Sequence, residues 1–116
     1  MSGLSQKTCI PCQGGVPPID KSEASKLKEE LHSEWEFTHE ETRLKRSMKF
    51  KDFKTPFEIT KEISELAEEQ WHHPEISLGF GHLEIEIWTH KINNLVESDF
   101  IFAAKCDQII KKYLEA

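Results

Sequence analysis

A chain of 116 residues, 37% apolar and 31% charged, is long enough for one domain with its own core, and its few glycines and prolines exclude collagen-like and low-complexity classes. The formal net charge of -6 argues against nonspecific nucleic-acid binding, which needs clustered lysine and arginine to neutralise phosphates. No apolar run approaches the roughly 20 residues that span a bilayer, and no charged-then-apolar signal opens the chain. The expected setting is the cytoplasm, where thiols stay reduced.

Residues 1–18 read as an extended leader and residues 19–116 as a single domain. The leader holds a C-x-x-C pair, Cys9 and Cys12, in Pro/Gly-rich sequence. A structural zinc site commonly uses two such pairs, and no second pair follows. A redox pair normally sits between a strand and a helix, which this context does not offer. No metal is therefore assigned, although zinc held by the pair and a histidine stays open as an alternative.

Asp20 with Glu23 can form a capping box, with Ile19 placed to pack on Ala24, so a helix is expected from there through Leu27 and Leu31. Trp35 to His39 alternates with period two, as do Leu44, Met48 and Phe50, giving two strands joined by a turn over residues 39–42. Lys45, Lys49 and Lys51 then share a solvated face. Thr55-Pro56-Phe57-Glu58 predicts a helix start, with threonine at N-cap, proline at N1 and glutamate at N3. Ile59, Ile63, Leu66 and Ala67 continue it, and Pro74 ends it. Ile76 and Leu78, a Gly79-Phe80-Gly81-His82 turn, and Leu83, Ile85 and Ile87 predict a second hairpin. Phe102, Cys106, Ile109, Ile110 and Tyr113 mark a last helix, with Cys106 a small core residue. The expected fold is α+β: α-β-β-α-β-β-α, a four-stranded antiparallel sheet with three helices on one face.

The candidate chemistry lies in His72-His73-Pro74, at the end of the second helix, and in His90, beyond the fourth strand. Imidazole titrates nearest neutrality and suits proton transfer. Adjacent histidines point apart, so His72 and His73 need separate tasks. Glu68 lies four residues before His72, one helical turn away, where a carboxylate could orient that imidazole. On spacing alone a plainly structural role, with His72 and His73 satisfying the last helix carbonyls, outweighs catalysis.

Glu68-x-x-x-His72-His73-Pro74, then Trp88-Thr89-His90, then Asp99, resembles the signature of the pterin-4a-carbinolamine dehydratases. Lys49-Phe50-Lys51-Asp52-Phe53 resembles that family's second-strand segment, and the leader around Cys9 and Cys12 resembles that of microbial members. The resemblance implies dehydration of a 4a-hydroxytetrahydropterin to quinonoid dihydropterin with no metal or organic cofactor. It implies His72 and His90 as the acid/base pair, His73 as a substrate-binding assistant, and Glu68 as support. The segments holding Trp71, His72 and His73 and Trp88, Thr89, His90 and Lys91 would grip the flat ring. Trp35 matches a family tryptophan near the pocket, with core packing the equal alternative. The family usually has Ser or Thr where Val96 stands, so the last helix lacks its cap and Asp99 is expected to be scaffold. The resemblance further implies a homodimer or homotetramer and a functional link to an aromatic amino-acid hydroxylase. The competing reading is a non-catalytic dimerisation or transcriptional cofactor of the same fold.

Overall fold

Asp20 opens the first helix as its sequence context predicts. In the computed structural model, which describes residues 4–7 and 17–114, its backbone is extended and its carboxylate accepts the Ser22 amide at 3.1 Å, capping α1 (Lys21–Lys28). The Ser22 hydroxyl, then the Ser22 and Glu23 amides, hold the Asp20 carboxyl below the usual carboxylate range. Cys9 and Cys12 lie outside the described residues. Ahead of them, Leu4–Gln6 form one turn of 3-10 helix with Leu4 buried in the core, so that part of the expected leader packs rather than extends.

Strands β1 (Trp35–Thr38), β2 (Arg43–Lys49), β3 (Glu75–Gly79) and β4 (His82–Ile87) form one antiparallel sheet in the order β1-β2-β4-β3. With α1, α2 (Lys54–Gln70) and α3 (Glu97–Leu114), the element order is the one the periodicities predict. Register follows parity: Leu44 faces Ile87, Arg46 faces Ile85, Met48 faces Leu83 and Ile76 faces Ile85. This face is buried under the helices, with Leu44, Leu83, Ile85 and Ile87 fully covered. The opposite face carries Glu36, Lys45 and Glu86 in one cross-strand row. Lys45 there is flanked by two carboxylates, as an exposed charged row favours. Cys106 is a buried core residue of α3, as its place in the apolar stripe predicts.

Two details depart from the sequence reading. Helix α2 starts at Lys54, ahead of the Thr55 cap that its sequence suggests. Phe53 is already in αR geometry and its carbonyl accepts the Phe57 amide, while the Thr55 hydroxyl donates to Asp52 at 2.9 Å. Pro56 still sits in the first turn, where a missing amide costs no helical bond. Second, Arg46 occupies a core position at 1% exposure. Its Nη1 donates to Asp107 at 2.7 Å, and the same carboxylate accepts the Trp35 indole N–H at 2.7 Å and the His32 amide at 3.0 Å. Trp35 is thus a core residue tied to α3. The β1–β2 turn runs through three left-handed residues, His39, Glu40 and Glu41, a conformation no Gly or Asn there would have announced.

Candidate active site

The sheet order brings two distant segments together. Because β3 pairs antiparallel with β4, Glu75 at the start of one faces Glu86 near the end of the other. The residues just before β3 and just after β4 therefore meet at the same end of the sheet. Those are Trp71, His72 and His73 on one side and Trp88, Thr89, His90 and Lys91 on the other. Together they line an open cleft of about 210 Å³.

Local backbone geometry explains why adjacent histidines diverge. Helix α2 stops at Trp71, which is left-handed (φ 54°, ψ 45°), and the amides of Trp71 and His72 both reach back to the Ala67 carbonyl. A bulky residue in this region costs on the order of 1–3 kcal/mol, strain of the kind found at functional sites. The chain reverses, and His72 turns inward, 8% exposed and against Phe102. His73 turns outward, edge-on to the Trp71 indole at 5.4 Å.

This reversal overturns the pairing inferred from spacing. Glu68 does not hold His72; its Oε2 lies 2.6 Å from Nε2 of His73, and both side chains are substantially exposed. The i, i+4 relation fails because Trp71 ends the helix before His72. His72 is held instead by Asp99, whose Oδ1 lies 2.7 Å from its Nε2.

Asp99 is fully buried and its other oxygen accepts the Thr89 hydroxyl at 2.7 Å and the Val96 amide at 2.8 Å. A carboxylate saturated with donors on Oδ2 acts as acceptor on Oδ1 as well, so His72 Nε2 is the donor. That tautomer leaves Nδ1 free to accept a proton. Asp99 also supplies what Val96 lacks: from the first turn of α3 it satisfies the Val96 amide, while the Asp99 amide bonds the Val96 carbonyl. Asp99 therefore caps α3 and holds His72 at once. Its link to His72 was not legible in the sequence because 27 residues separate the partners.

His90 lies on the rim with Lys91, in a turn closed by the Thr89–Asn94 bridge. Among the described residues no hydrogen bond reaches its imidazole. It stacks instead on the Trp88 indole, with centroids 4.3 Å apart and planes 20° from parallel. The arrangement offers three imidazoles around one small cleft. One is oriented by a buried carboxylate, one paired with an exposed carboxylate, and one laid on an indole. Such a site can give and take protons on a flat, partly apolar ligand. Among the described residues no cluster of three metal-ligating side chains is present, and no helix is long and apolar enough to cross a membrane.

Comparison with known proteins identifies the family. The family model described as pterin 4 alpha carbinolamine dehydratase matches residues 17–109. A protein of Rickettsia bellii assigned by name to the pterin-4-alpha-carbinolamine dehydratases is 51% identical over 104 residues, covering 90% of this chain and 91% of that one. One from Rubrobacter xylanophilus, named likewise, is 47% identical over 94% of this chain and all of its own length. Among solved structures, the transcriptional coactivator/pterin dehydratase from Brucella melitensis superposes with a TM-score of 0.75 at 29% identity, covering 81% of this chain and 99% of that one. A pterin dehydratase-like protein described as a RuBisCO assembly factor shares the fold, with a TM-score of 0.58 at 21% identity over 68% of this chain and 92% of that one. On a match spanning most of the chain and relatives near half-identical to it, this protein belongs to the pterin-4-alpha-carbinolamine dehydratase family, whose members are hydro-lyases.

Proposed function

We propose that the cleft dehydrates a 4a-hydroxytetrahydropterin by proton transfer between imidazoles. The observation that carries this reading is the convergence of His72, His73 and His90 on one cleft, each held by a different device. In the reaction the C4a–O bond breaks with its electron pair as the hydroxyl takes a proton and leaves as water. The N5 proton departs to a base, and its electrons form the C4a=N5 bond of the quinonoid product. His72 and His90 form the acid/base pair, each exchange contributing a factor of order 10²–10⁴. His73, paired with Glu68, binds and assists, while Asp99 fixes the His72 tautomer. A cleft of about 210 Å³ suits a bicyclic ring with its side chain left outside.

The same reading has the product return to an aromatic amino-acid hydroxylase in the cytoplasm. It also has the chain working as a homodimer or homotetramer, for which β1 and β3, the outer strands of the sheet among the described residues, offer pairing edges. The test is the decay of 4a-hydroxytetrahydropterin absorbance at neutral pH. Purified folded protein should accelerate it far above buffer; a decay equal to that in buffer refutes the proposal.

A further inference from the structure

His72 and His73 are each fixed by a carboxylate, but His90 has only its stacking partner. What fixes that partner is Arg43, at the start of β2 and one position beyond the Leu44–Ile87 pair that closes the sheet. The Arg43 guanidinium carbon lies 3.9 Å from the Trp88 ring centroid. The guanidinium and the imidazole thus both stack on one indole, at 3.9 and 4.3 Å from it.

Arg43 is placed by this stack more than by hydrogen bonds. Among the described residues its Nε is buried without a hydrogen-bond partner, its Nη1 is a long 3.9 Å from Glu86, and its Nη2 reaches Asn93 Oδ1 only at 3.5 Å. A buried N–H left unpaired is unfavourable, so the planar contact with the ring offsets that loss. The Asn93 contact adds a second route to the same end. Asn93 is left-handed (φ 52°), and its amide donates to the His90 carbonyl, closing the turn that carries His90.

We propose that Arg43 is a positioning residue for His90. It holds the Trp88 indole through its planar contact and the 90–93 turn through Asn93, and so sets where the imidazole stands over the cleft. It touches no reacting atom. The catalytic part of this proposal rests on the dehydratase reading; the positional part does not. Arginine suits the task better than lysine because a planar guanidinium stacks on an indole face and still reaches the Asn93 carboxamide, whereas an ammonium supplies only a point charge.

The test compares Arg43→Gln and Arg43→Lys with wild type, with two readouts. The first is steady-state dehydration. Arg43→Gln should lower kcat at least about tenfold with KM nearly unchanged, since small misplacement of a catalytic group costs rate rather than ground-state binding. Arg43→Lys should recover part of that loss. The second is the ring-proton NMR shift of His90, which stacking on an indole moves upfield. Arg43→Gln should return it towards the value of a free histidine, with an unchanged melting temperature as the folding control. A raised KM with kcat intact would make Arg43 a substrate contact and overturn the proposal. So would an unchanged upfield shift, or a lost shift with unchanged kcat. If wild-type protein proves inactive, the dehydratase reading fails, while the shift still decides whether Arg43 places His90.

Discussion

Replacing Asp99 with asparagine keeps the shape of the site and removes one property, acceptance at Oδ1. Asparagine has one oxygen, and two of the three donors to Asp99, the Thr89 hydroxyl and the Val96 amide, converge on Oδ2. The amide oxygen stays with that pair, and the NH₂ group then faces Nε2 of His72 across 2.7 Å. Two N–H groups cannot bond each other, so His72 changes tautomer, and Nδ1, the nitrogen not bonded to residue 99, becomes a donor. The same exchange in the Ser-His-Asp triad lowers kcat about 10⁴-fold. For Asp99→Asn we expect a fall between about 10² and 10⁴. Losing one charge-assisted hydrogen bond costs about 1–2 kcal/mol of stability, or roughly 5–15 °C in Tm for a domain of this size. The assay is dehydration by the purified variant, with nitrogen NMR of His72 reporting the tautomer. A variant with wild-type kcat, or one with an unchanged tautomer and a collapsed rate, would refute this chain of reasoning.

Glu68→Gln should lower turnover by less than about fivefold, because a pair this exposed contributes at most about 1 kcal/mol; pH-rate profiles of both proteins check it. Asp107→Ala leaves the Trp35 indole without its acceptor and the buried Arg46 charge with only the more exposed Glu34, 3.3 Å from its Nε, so stability should fall by about 3 kcal/mol, read as a shifted urea midpoint with normal activity per folded molecule. Tyr113 donates to Glu62, which pushes the phenol up to about 12. A raised folded-state value contributes stability that is fully present below the unfolded value near 10 and is lost as pH rises towards 12. Since this is the chain's one tyrosine, its tyrosinate absorbance reads the midpoint directly, and Glu62→Gln should return it to about 10. Glu62 itself is held low by Lys112 and then Tyr113, so its contribution is present above its unfolded value and fades as pH falls through the folded one.

The fold was legible because its signals are local. Period-two runs at Leu44–Met48 and Leu83–Ile87, and the helical stripe through Ile59 and Ile63, each fix a face without reference to the rest of the chain. The site was legible in membership but not in wiring. His72, His73, Trp88 and His90, singled out in the sequence, line one cleft. Which carboxylate serves which imidazole depends on one left-handed residue, Trp71, and on a contact between Asp99 and His72 made across the fold. No tryptophan announces positive φ, and no periodicity reports a tertiary hydrogen bond. Arg46 was missed for the same reason: an arginine in a strand reads as solvated until Asp107, on another element, is seen to meet it.

His90 is the cleanest single residue for the central claim. Removing His72 would strand the buried Asp99 carboxylate, whereas the His90 side chain is exposed and no described hydrogen bond reaches it. The decisive measurement is the rate of 4a-hydroxytetrahydropterin dehydration by His90→Ala beside wild type, at equal concentrations of folded protein. The account predicts a loss of at least about 10²-fold with an unchanged melting temperature. A His90→Ala protein that dehydrates the substrate at the wild-type rate would contradict it.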